Sequence, residues 1–217
     1  MNRRTFLSAS LTSTAVSAPL LGKDRNPQAG GNAKSGKKLA WQNGKSYWPI
    51  CLDTATLDKG IGLEDKLRLA AEAGFDCVEP WDRELDQYEK QGGDLKDIKS
   101  LVADLGLYIP SVIGLWNSMD ASEESFKSRL EEHRNRLRMV SAIGSRKVQV
   151  IPNMKLKDSF DHNVASWCYR QILEMAIEDY GMEGAGIVFL NFFSPLSSIA
   201  DATRVAFGAD HKKAQII

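Results

Sequence analysis

Residues 70–81, AAEAGFDCVEPW, decide how this chain is to be read. Ala70, Ala71 and Ala73 close a helical run, Gly74 is its stop, and Asp76-Cys77-Val78-Glu79-Pro80 reads as a short strand. That strand ends in a carboxylate, Glu79, with Trp81 just beyond it. Working upstream, the helix begins at about Leu63, with Leu63, Leu67 and Ala70/Ala71 on one face. Before it stands WPICLD (48–53), another apolar strand ending in a carboxylate, Asp53, followed by Thr54.

Downstream the same unit recurs. DLKDIKSLVADLG (94–106) sets Leu95, Ile98, Leu101, Val102 and Leu105 on one helical face and closes at Gly106. LYIPSVIGLW (107–116) is a third strand. Asp120 and Glu123 have the spacing of a capping box and open a long helix. Its face runs through Phe126, Leu130, His133, Leu137 and Val140 to Gly144. KVQVIP (147–152) is the fourth strand, and a helix from about Ser159 to Tyr180 carries Val164, Trp167, Ile172 and Met175. GIVFLN (186–191) is the fifth strand, SSIADATRVAFGA (197–209) the fifth helix, and AQII (214–217) opens a sixth strand.

Regular strand–helix alternation implies parallel strands joined by right-handed crossovers. Two α/β folds satisfy it. A doubly wound parallel sheet suits the strand count, but the first strand-to-helix loop, DTATLDKGIG, has no GxGxxG phosphate cradle. A (β/α)8 TIM barrel collects functional side chains at the C-terminal ends of its strands. Here those ends carry Asp53 and Thr54, Glu79 and Trp81, Trp116 and Asn117, Asn153, and Asn191. Polar or aromatic groups at five successive strand ends favour the barrel. The expectation is an incomplete barrel of about five βα units plus a sixth strand, with the doubly wound sheet as the alternative.

Whole-chain properties narrow the function. The 28 basic and 28 acidic side chains among 217 residues balance, so no global field draws in polyanions, and a nucleic-acid partner is not expected. No internal apolar run reaches membrane-span length, so no membrane contact beyond export is expected. At the N-terminus, Arg3 and Arg4 precede Thr5, Phe6 and Leu7 and a mild apolar stretch. This resembles a bacterial twin-arginine export signal, which implies a periplasmic or extracellular location. Residues 1–22 are therefore read as the signal, 23–46 as a flexible linker, and 47–217 as the folded domain. Cys51, Cys77 and Cys168 are too few and scattered for a disulfide framework, and no CxxC indicates zinc. Cys51 and Cys77 read as small packing residues, with a bridge between them the alternative in an exported protein.

In the order and spacing of four segments, the chain resembles the xylose-isomerase-like TIM barrels, a family of sugar and sugar-phosphate isomerases and epimerases. Those segments are CLDTATL, AAEAGFDCVEPW, LGLYIPSVIGLW and AIGSRKVQVIP, and the likeness spans roughly residues 48–217. It implies a divalent metal cation (manganese, magnesium, zinc or cobalt) at the barrel mouth, held by carboxylates and a histidine or glutamine from later strands. Such a cation would polarise a sugar's carbonyl and hydroxyl pair while carboxylates shuttle a proton through an enediolate. In the family the fifth strand typically ends in Glu, and Asn191 occupies that place, with Val188 the less favoured match. An amide oxygen can ligate a cation, but it carries no charge and accepts no proton at neutral pH. The capping of a strand end is the plainer role for Asn191.

The family's remaining ligands fall beyond Ile217, so this chain is expected to retain metal poorly and to be inactive as it stands. A noncatalytic carbohydrate-binding remnant is the alternative. An open barrel also exposes strand edges through which copies could associate.

A small sugar or polyol is the expected partner. Glu79 would hydrogen-bond its hydroxyls while Trp81 packs on an apolar sugar face, with an ion pair the competing role for Glu79. Trp116 and Asn117 would line the same mouth unless they pack the loop. Asp53, Asn153 and His162 complete the candidate substrate contacts, Asp53 competing with a turn role. His133 falls on an apolar helical face and reads as a packed core residue, and His211 reads as loop.

Overall fold

The structure, a computed structural model, describes residues 48–189 and 194–217. Residues 1–22, read from the sequence as an export signal, residues 23–46, read as a linker, and Asn191 lie outside the described residues.

Six strands form one parallel succession. β1 (Cys51–Asp53) pairs with β2 (Cys77–Glu79), and β3 (Val112–Ile113), β4 (Lys147–Val150), β5 (Gly184–Ile187) and β6 (Gln215–Ile216) pair in that order. Parallel bridges Cys77–Tyr108 and Trp81–Ile113 join β2 to the third strand, with Val78 N–H donating to Tyr108 O and Ile113 N–H to Pro80 O, each at 3.0 Å. Spatial order thus follows chain order from β1 to β6. A doubly wound sheet must reverse its strand order at a switch point. None occurs among the described residues, so the fold is the barrel type, with five βα units and a sixth strand described.

Alternation along the strands gives the sheet two faces. Val78, Val112, Val148, Val150, Ala185 and Ile187 are fully buried against the helices. Those helices are α1 (Leu63–Ala73), α2 (Asp82–Lys90), α3 (Leu95–Asp104), α4 (Glu123–Ser128), α5 (Leu130–Ala142), α6 (His162–Glu174) and α7 (Ile199–Gly208). Most offer an apolar stripe, such as Leu67 and Ala70 of α1 or Ile172 of α6, and each fully buried Leu or Val contributes about 1.5–3 kcal/mol. The opposite, inner face carries Cys51, Asp53, Cys77, Glu79, Ile113, Gln149, Gly184, Gly186 and Gln215, in register. Gly186 lacks a side chain where a Cβ would overlap Ile217. Among the described residues no helix is long and apolar enough to cross a membrane.

Four local expectations change. Helix α2 is additional, because only Asp82 and Leu85 of its DRELDQYEK sequence are buried and no apolar stripe announces it. The long helix divides at Arg129 (φ −110°, ψ 10°), and Ser122 rather than Asp120 caps its start, accepting from Ser125 N–H at 3.2 Å. The helix expected from Ser159 to Tyr180 starts at His162, capped by Asp161, and widens into a π turn over Met175–Asp179. The fifth strand pairs as Gly184–Ile187, two residues early, because its glycines give no apolar signal; Val188 N–H still reaches Val150 O at 3.1 Å.

Candidate functional site

Three strand ends converge at the mouth. Asp53 closes β1, and its Oδ1 accepts from Ala55 N–H at 2.9 Å and from the Trp81 indole Nε1–H at 2.7 Å. Trp81, just past β2, stacks on Trp116, just past β3, with ring centroids 5.5 Å apart and planes at 22°. The Arg83 guanidinium lies 4.0 Å from the Trp81 ring centroid. The result is a half-exposed indole pair with a carboxylate at one edge and a cation against one ring. Indole faces pack against the C–H surface of a polyol, while edge groups of either sign take its hydroxyls.

Glu79 lies on the inner face, in register with Asp53. Its Oε1 accepts from Gln149 Nε2 at 2.7 Å and from Ser111 Oγ. Both donors are neutral, so an ion pair is not what holds this carboxylate. Glu79 remains half-buried with acceptor capacity left over.

The indole pair rests on a constrained loop. Leu115 (φ 50°) and Asn117 (φ 57°) are left-handed, a conformation costing roughly 1–2 kcal/mol per residue for side-chain-bearing residues. Arg129 compensates by donating to Asn117 O at 3.0 Å, Trp116 O at 3.4 Å and Asp120 Oδ2 at 3.3 Å. It also pairs with Glu132, which pairs with Arg136, which reaches Asp82 at 2.8 Å. Burial pushes Asp120 upward, but hydrogen bonds from Ala121 N–H, Ser125, Asn153 and Arg129 outweigh it and hold the carboxyl below its ordinary range. Burial dominates at Asp82 and raises it despite Arg136.

The other expected contacts go elsewhere. Asn117 is held through its carbonyl. Asn153 caps a short turn, accepting from Lys155 N–H at 3.1 Å and donating to Asp120 at 3.4 Å. Thr54 is fully buried and tied to Glu84, which also takes Lys66 Nζ at 2.7 Å. His162 opens α6, edge-on to Phe160 and 3.6 Å from Asp201 of α7. Its partners thus lie in the loop before α6 and on α7, not in the indole pair. His133 is fully buried as expected, stacked on Phe126.

Sequence reasoning missed Ser111, Gln149, Arg83 and Arg129. Gln149 was findable, since it is the one polar alternate in the buried run Val148 to Ile151. Arg129 was not, because nothing local distinguishes it from the other arginines of its helix.

A metal requires more donors than are gathered here. Among the described residues no group of three or more His, Cys, Asp or Glu is placed to hold an ion. Asp53 Oδ1 is already taken by an indole and a backbone N–H, and Glu79 Oε1 by Ser111 and Gln149. A hard cation needs several converging oxygen donors. The described donor set does not fit one, and Asn191 lies outside it.

No family model and no curated protein sequence matches this chain. Solved structures do. A xylose isomerase-like TIM barrel/4-hydroxyphenylpyruvate dioxygenase fusion protein matches at 21% identity with a TM-score of 0.68, covering 79% of this chain and 26% of its own. The zinc-bound IolI protein matches at 15% identity and a TM-score of 0.66, covering 78% of this chain and 62% of its own. A D-psicose 3-epimerase determined with D-fructose matches at 14% identity and a TM-score of 0.65, with coverages of 78% and 62%. The chain therefore spans less than two thirds of the length of each of these structures. At such identities the likeness establishes the fold alone, that of a TIM barrel.

Proposed function

We propose that this chain forms the sugar-binding part of a barrel of the xylose-isomerase-like isomerase and epimerase type. The described portion binds a sugar or polyol on the Trp81–Trp116 pair and does not itself perform the metal-assisted proton transfer. One observation carries the reading: two stacked indoles at the barrel mouth with Asp53 bonded to their edge. Two similar structures, an epimerase determined with D-fructose and a zinc-bound protein, support the substrate class and the metal-using chemistry.

Each residue has a part. Trp81 and Trp116 supply the apolar face. Asp53 orients Trp81 and, through its free oxygen, accepts from a hydroxyl. Arg83 donates to sugar oxygens or to a phosphate. Glu79 accepts a second hydroxyl from below, fixed by Ser111 and Gln149. The enediolate route needs a base together with an electrophile, and the groups bonded to the Glu79 carboxylate, Ser111 and Gln149, are both neutral.

The test is titration of the purified 217-residue protein with a panel of hexoses, pentoses and their phosphates, followed by tryptophan fluorescence, with and without EDTA. Binding should be unaffected by EDTA and weaken at least about tenfold in Trp116→Ala, in line with a lost aromatic anchor. Proton NMR in deuterated solvent should show no exchange at the sugar carbons. Absence of binding across the panel removes the proposal. Metal-dependent exchange by this chain would replace it with a catalytic one.

Export by the twin-arginine route belongs to the same proposal, motivated by Arg3 and Arg4 ahead of the apolar stretch. Cell fractionation should find the protein outside the cytoplasm and Arg3→Lys/Arg4→Lys inside it; identical distributions would sink the point.

A further inference from the structure

Cys51 and Cys77 face each other across β1 and β2, one layer below Asp53 and Glu79 on the inner face. Both thiols are free, Cys51 exposed and Cys77 buried. The Cys77 thiol donates to Ile50 O at 3.7 Å and the Cys51 thiol to Leu52 O at 4.0 Å, and Tyr108 is bridged to Cys77 from the next strand. Paired strands lie about 4.7–4.9 Å apart, inside the range of about 4.4–6.8 Å that disulfide-linked Cα atoms span. Side chains on the concave face of a curved sheet lean toward one another, which brings the Cβ atoms nearer still. Nothing in the sugar-binding reading uses this pair.

We propose that Cys51 and Cys77 form a reactive dithiol that closes to a disulfide across β1 and β2 by exchange with a small-molecule disulfide such as oxidised glutathione. The two thiols titrate together: the Cys51 thiol and the Tyr108 hydroxyl hold Cys77 below the ordinary thiol range, while Cys77 and burial hold Cys51 above it, so the first proton lost leaves a thiolate on Cys77. Passing the Cys51 proton to Cys77 moves the charge to the exposed sulfur. Cys51 then attacks one glutathione sulfur; a mixed disulfide forms and one glutathione thiolate leaves. That thiolate takes the Cys77 proton, and Cys77 attacks the Cys51 sulfur, expelling the second glutathione as a thiolate, which takes up the proton lost at the start. Two protein thiols are oxidised and one glutathione disulfide is reduced to two thiols. Cys168 stays out of the exchange, being fully buried with its thiol pushed up to about 11 by burial.

The 217-residue protein is incubated with oxidised glutathione, quenched in acid, alkylated under denaturing conditions and mapped by mass spectrometry. Alkylation is expected on Cys168 alone, with the Cys51 and Cys77 peptides joined and two hydrogens lighter. Cys77→Ser should trap a glutathione adduct on Cys51 that the parent does not accumulate. Cys51→Ser should leave Cys77 unmodified, because it is buried. Alkylation of all three cysteines in the treated parent overturns the proposal, as does a lasting glutathione adduct on Cys51 or a linkage only between separate chains.

Discussion

His133 is an imidazole with neither ring nitrogen hydrogen-bonded, fully buried against Phe126. Burial lowers its pKa to about 4, from an ordinary 6.5, and the neighbouring Arg129 adds to the effect. Above pH 6.5 both folded and unfolded chains hold the ring neutral, so nothing changes. As pH falls from 6.5 toward 4, the unfolded chain takes up the proton first and stability declines, by up to about 3 kcal/mol in all. His133→Leu should abolish that decline. Urea unfolding at pH 7 and pH 5 should show the parent losing about 2 kcal/mol more than the variant; equal losses would place the acid sensitivity elsewhere. The apolar neighbours of His133 made its packing legible from spacing alone. Glu79 was legible only as a polar strand end, because its partners, Ser111 and Gln149, lie 32 and 70 residues away.

Between elements, one close approach is at Gly114, just past β3. A Cβ there would stand 2.9 Å from the Asp82 Cβ and 3.1 Å from its Cγ. Asp82 opens α2 and is bonded to Arg136 of α5, so it cannot swing away cheaply. Gly114→Ala should therefore cost about 1–3 kcal/mol as an overpacking change. Gly62→Ala, where nothing lies within 4 Å of the added carbon, should be neutral or gain up to about 1 kcal/mol through the unfolded chain. Chemical denaturation of the pair checks the contrast, and equal effects would refute the contact argument. Elements with an apolar stripe, such as α1 and α3, were readable to within a residue or two. Helix α2 was not, since its stability comes from Glu84 accepting the Trp81 N–H at 2.9 Å and from ion pairs with α5. The break at Arg129 likewise reflects distant carbonyls, and no local propensity encodes it.

At the scale of the molecule, β1 and β6 each keep one edge unpaired among the described residues. Apolar groups stand exposed on α7 and just past β6: Phe207 at 80%, Ile199 at 62% and Ile217 at 49%. Unpaired strands with exposed apolar neighbours favour association. Balanced charge offers little long-range repulsion. A second copy is the proposed cover. Sedimentation velocity should show a dimer growing with concentration and weakened in Phe207→Lys; a monomer throughout would refute it.

Alternation of strands and helices, with polar groups at successive strand ends, was determined by the sequence alone, because periodicity and stop residues act within a few positions of themselves. It brought the α/β class, the barrel preference and the Asp53, Glu79, Trp81 and Trp116 candidates into view. Only the tertiary structure decided between barrel and doubly wound sheet, since strand order is set by pairing across whole crossovers. It alone decided which candidates meet, drawing Asp53, Trp81 and Trp116 together while turning Asn153 and His162 to other partners, because side-chain partnership depends on contacts tens of residues apart.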